Sequence, residues 1–70
     1  MQFIIVAYKK NKTIGYVQLT RSKYGSYESL MVKDKFMASR FNGEYSIIRG
    51  LSIARKTNND KSIYLNMEVC

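Results

Sequence analysis

Residues 3–8 read Phe-Ile-Ile-Val-Ala-Tyr, six apolar or aromatic residues with no polar position among them. A run this short, rich in β-branched and aromatic side chains, favours a strand over a buried helix fragment. A strand with no polar face must be covered on both sides, so it belongs inside a sheet and not at its edge. The rest of the chain has to supply that cover. Its seventy residues suffice for one domain, residues 1–70. A domain of this size buries only about 60% of the surface of its unfolded chain, so its core is thin.

Lys9, Lys10, Asn11 and Lys12 read as a turn, and residues 13–20 as a second strand with Ile14, Tyr16, Val17 and Leu19 as its body. An even-length turn places Ile4 and Val6 on one face with Val17 and Leu19, the expected core. Phe3, Ile5 and Ala7 then share the opposite face with Tyr16 and Gln18. Residues 21–29, centred on Gly25, read as a loop, and residues 30–32 as a short third strand.

Asn42 and Gly43 fit a hairpin turn, a helix end or the start of a following helix. Residues 44–56 fit that helix: Ile47, Ile48, Leu51 and Ala54 recur at spacings of three and four, with Glu44 in the first turn and Arg55 and Lys56 in the last. Gly50 inside it costs about 1 kcal/mol relative to Ala. The competing reading takes residues 45–53 as a strand. Residues 57–60 are a turn cluster. Residues 62–69 alternate strictly, with Ile63, Leu65, Met67 and Val69 on one side, which predicts a half-buried strand. The fold class expected is α+β, a three- to four-stranded, mostly antiparallel sheet with one helix packed on it. The alternative is a small all-β barrel.

The chain has no histidine and one cysteine, Cys70. A single thiol cannot close an internal disulfide, which points to a reducing compartment, and no zinc ligand set exists. Neither a metal nor another cofactor is expected. The commonest general base is absent, the carboxylates fall singly, and no Ser or Cys has a basic partner at a recognisable spacing. Glycines 15, 25, 43 and 50 do not make a phosphate-cradling loop. The expectation is therefore a protein without catalytic residues. No apolar run approaches the length of about 20 residues that spans a bilayer. The start Met-Gln-Phe lacks the features of a signal peptide. A cytoplasmic protein with no membrane partner is expected.

Net charge is +7, and residues 1–27 contain no acid at all. Lys9, Lys10, Lys12, Arg21 and Lys23 fall within that stretch, interleaved with Tyr16 and Tyr24. Cations attract phosphate or acidic protein surfaces, and exposed aromatic rings offer stacking platforms. These seven residues are the candidate binding site. The competing explanation is a solvated sheet whose tyrosines are half buried.

Residues 34–41, Asp-Lys-Phe-Met-Ala-Ser-Arg-Phe, precede a helix and a last amphipathic strand. In this layout the chain resembles small uncharacterised proteins of tailed phages, in which a hairpin is followed by an Ala-x-x-Phe-like stretch, a helix and a strand. Ala38 and Phe41 carry the match; Asn42, Gly43, Glu44 and Tyr45 replace the usual acid- and Ala-rich helix start. The resemblance implies a class, short early proteins that bind and inhibit a host component, including defence systems, in the host cytoplasm.

Three functions follow as expectations. The first is a basic, non-enzymatic binding protein that inhibits or redirects a host protein or protein–nucleic acid complex. The second is an RNA- or DNA-binding module using the basic, tyrosine-containing hairpin. The third is a homo-oligomer, at its simplest a homodimer, joined through an apolar face containing Phe3 and Ile5.

Overall fold

The computed structural model describes residues 1–70 and shows one helix packed on an antiparallel five-stranded sheet. The elements are β1 (Gln2–Lys9), β2 (Lys12–Arg21), β3 (Tyr27–Val32), β4 (Phe41–Asn42), α1 (Gly43–Thr57) and β5 (Tyr64–Val69). The α+β reading thus holds, with one more strand than expected, the two-residue β4. Strand β1 is central: β2 flanks it, β5 pairs with it from Phe3 to Tyr8, and β4 pairs with its first residues, Gln2 and Phe3. All five residues from Phe3 to Ala7 are buried, as a strand without a polar face requires.

Lys10 and Asn11 form the two-residue turn between β1 and β2, both at positive φ (51° and 64°). The turn has the expected even length, yet the core face is inverted. Ile14 is an extra residue on β2: Tyr8 faces Thr13 while Ala7 faces Gly15. One bulged residue shifts the register by one and moves each later side chain to the other face. Phe3, Ile5 and Ala7 therefore lie with Val17 and Leu65 under α1, joined by Ile47, Leu51 and Ala54 of the helix. Ile4 and Val6 lie on the opposite face, packed by Ala38, Tyr8 and Tyr16.

The second face is closed by the segment after β3. Asp34 accepts the Phe36 N–H (2.9 Å) and holds a 3-10 turn at Lys35–Met37. Gln18 Nε2 donates to the Met37 carbonyl (3.0 Å), and Ser39 is pinned to β2 through its N–H to the Val17 carbonyl (3.1 Å) and its Oγ to the Leu19 N–H (2.8 Å). Ala38 is thereby pressed onto Ile4 and Val6.

Helix α1 begins one residue earlier and ends one residue later than expected. Asn42 occupies the N-cap position without a side-chain cap, and Gly43 enters the helix at φ +84°. The buried stripe is Ile47, Gly50, Leu51 and Ala54; Ile48, expected on it, is exposed. Gly50 is where the Phe41 ring lands: a Cβ there would lie 2.6 Å from Cζ and 2.9 Å from Cδ1 of that ring. The loop read at residues 21–29 shrinks to 22–26, because β2 and β3 pair as far as Arg21 and Tyr27. On β5 the alternation holds for Leu65, which is buried, whereas Met67 and Val69 stand exposed on an edge strand that α1 covers only in part. No helix is long and apolar enough to cross a membrane.

Candidate interaction surface

The seven candidate residues fall into three places. Lys9, Lys10 and Lys12 surround the β1–β2 turn. Arg21, Lys23 and Tyr24 lie at the far end of β2, which spans ten residues. At about 3.3 Å per residue the two groups stand about 30 Å apart. The single concentrated patch expected from residue order is thus two clusters at opposite ends of one long strand. Tyr16 belongs to neither: its ring is half-buried against the Ile4, Val6 and Ala38 cluster.

At the turn end, Lys9 is half-buried and ion-paired with Asp60 at 3.9 Å. Asp60 is itself committed to a local turn. Its Oδ1 accepts from the Ser62 N–H (2.9 Å) and hydroxyl (2.6 Å). Those two hydrogen bonds, followed by the Lys9 charge, hold its carboxyl below the ordinary aspartate range. Lys10 and Lys12 remain exposed.

The other end is more elaborate. A turn over residues 22–26 is closed by the Ser22 N–H to the Ser26 carbonyl (2.7 Å), the Gly25 N–H to the Ser22 carbonyl (3.0 Å) and a hydroxyl pair between Ser22 and Ser26 (2.8 Å). Gly25 takes φ +85°, which favours glycine. This frame presents Tyr24, 86% exposed, with the Lys23 ammonium 5.4 Å from its ring centroid. Across the strand pair the Arg21 guanidinium lies 5.7 Å from the Tyr27 centroid. Such pairs are worth about 0.5–1 kcal/mol at exposed sites and hold the cation in place.

Tyr27 also lines a cleft of about 360 Å³ between the sheet and α1, whose only charged lining residues are Arg40 and Arg49. The Arg40 guanidinium donates to Cys70 Sγ (3.3 Å). Ser39, Ser46, Phe41 and Gly50 complete much of the wall. Sequence reasoning missed Arg49 and Ser46 as site residues. The signal was present: positions 46, 49 and 53 form one helical stripe beside the buried one.

Lys9 is the only one of the twelve basic side chains that forms an ion pair. Several acids are occupied locally: Asp34 in the 3-10 turn, Asp60 in its own turn, and Glu68 as acceptor of the Tyr8 hydroxyl at 2.8 Å. That last bond raises the Tyr8 pKa above the usual tyrosine value. Phe3 and Ile5, the expected oligomer face, are buried beneath α1. No cluster of three His, Cys, Asp or Glu side chains is placed to hold a metal ion. Comparison with protein-family models, with curated proteins and with solved structures finds no match.

Proposed function

We propose that this is a non-enzymatic binding protein that docks its Arg21/Tyr27 end on an acidic macromolecular surface. The observation that carries the reading is the pair of exposed cation–aromatic contacts there, made by cations that have no acid partner. Net charge of +7 speeds encounter with an acidic partner, and held cations beside aromatic rings supply anchors. The resemblance of its layout to that of small phage proteins extends the proposal to a host component as the target. A second reading, direct binding of single-stranded nucleic acid, is favoured by Tyr24, whose open ring beside Lys23 suits a stacked base with its phosphate.

The test is fluorescence anisotropy with two labelled probes, an acidic peptide and a single-stranded oligonucleotide, at about 50 mM salt. Arg21→Gln with Lys23→Gln should weaken binding about tenfold or more, while Lys10→Gln with Lys12→Gln should slow association with a smaller effect on affinity. The probe that binds more tightly selects between the two readings. Equal losses from the two ends, or no binding to either probe, would overturn the proposal.

A further inference from the structure

Helix α1 has a cleft along each flank. The one described above holds Arg49 and Tyr27; the other runs between α1 and the edge strand β5. Two adjoining cavities, of about 490 and 180 Å³, share Ile48 and Met67 and form one continuous groove. Phe3 and Leu51 contribute to its floor. Ile48 and Met67 form its apolar, solvent-open middle, 60% and 38% exposed, and Ser52 and Arg55 line more of its helix side. Exposed apolar surface of this kind marks an interaction site.

The ends of the groove identify the occupant. Arg55 also lines the groove but is committed to the Leu65 carbonyl, and the two ends are closed by Glu44 at the first turn of α1 and by Lys56 at the last. Twelve residues of helix separate them by about 18 Å. An apolar groove with an acid at one end and a base at the other is self-complementary under a two-fold axis across its middle. The Glu44 end of one copy then meets the Lys56 end of the next, Ile48 and Met67 are covered on both, and the helix dipoles run antiparallel. We infer that the groove between α1 and β5 is the interface of a symmetric homodimer.

The strand edge is partly closed to a further strand. Arg55 Nη2 donates to the Leu65 carbonyl (3.1 Å), and the Met67 N–H is taken by Asn66 Oδ1 (2.9 Å). The contact is therefore side-chain packing of groove against groove, not strand addition. This inference is independent of the proposed function, since it uses the other flank of the helix.

Sedimentation equilibrium of the full chain tests it. The expected result is a monomer–dimer equilibrium with a dissociation constant on the order of 10 µM. Met67→Lys should be monomeric throughout, with an unchanged circular dichroism spectrum. Glu44→Lys and Lys56→Glu each put like charges at both ends of the interface, and each should weaken the dimer about tenfold or more. An equimolar mixture of those two variants restores an opposite pair at both ends and should dimerise as the parent does. A parent that stays monomeric at concentrations of about 200 µM, a dimer insensitive to Met67→Lys, or a mixture no tighter than its components would overturn the inference.

Discussion

Gly50→Ala should destabilise this protein, against the rule for helix interiors. Alanine is the better helix former by about 1 kcal/mol, so a solvent-facing Gly50 would predict a gain of that size. Here the new methyl would lie 2.6 Å from Cζ and 2.9 Å from Cδ1 of Phe41, inside van der Waals contact. Phe41 has little freedom to retreat, because its backbone pairs with Phe3 in β4 and Ser39 is hydrogen-bonded to β2. Overpacking of this kind costs about 1–3 kcal/mol. The balance is a loss of up to about 2 kcal/mol, which lowers Tm by about 4–8 °C per kcal/mol in a domain of this length. The sign should reverse once the ring is removed: in a Phe41→Ala background, Gly50→Ala should stabilise by about 1 kcal/mol. Urea unfolding of the four proteins in the cycle, followed by circular dichroism, measures both numbers. Equal stabilisation by Gly50→Ala in the two backgrounds would refute the packing argument and leave Gly50 as an ordinary helix defect.

Three further outcomes are expected. Gly15→Ala should cost about 1–3 kcal/mol in urea unfolding, because its methyl would lie 2.8 Å from the Val32 carbonyl, a backbone atom of the neighbouring strand; a neutral result would contradict the close approach. Replacing Lys10 and Asn11, both at positive φ, by Asn and Gly should raise stability by about 1 kcal/mol, read as a higher Tm. The Asp60 carboxyl titrates below its ordinary range in the folded state. Its contribution is present above the unfolded pKa and is lost as pH falls through the folded value. The Tm difference between the parent and Asp60→Asn should therefore narrow as pH drops from about 5 to about 2, and a constant difference would count against it.

The elements that periodicity controls were legible from residue order alone. The greasy run at residues 3–8 became the central strand, and the three- and four-residue spacing from Ile47 to Ala54 became α1. The core face was not legible, because a bulge at Ile14 leaves no mark in a period-two pattern until the register is seen. Nor was the purpose of Gly50, which local propensity records only as a cost and tertiary packing turns into a seat for Phe41. The β5 pattern was right in phase and wrong in depth: Met67 and Val69 point to the helix side, but one helix cannot cover the whole edge. For the candidate site the limit was distance. Lys12 and Arg21 are nine positions apart, which is one loop if the chain turns and a whole sheet length if it runs straight. The stripe of positions 46, 49 and 53 was there to be read, but only the packed helix shows that it lines the same cleft as Tyr27.

The salt dependence of binding, measured on both the acidic peptide and a short single-stranded oligonucleotide, is the sharpest test of a recognition surface at the Arg21/Tyr27 end, because it counts the cations that engage. If Arg21, Lys23 and Arg49 act together, log affinity for the oligonucleotide should fall against log salt with a slope of about −2, relaxing to about −0.7 when Arg21 and Lys23 are both changed to Gln. Affinity independent of salt, or the same slope in the parent and in that double variant, would contradict a recognition surface at this end of the molecule.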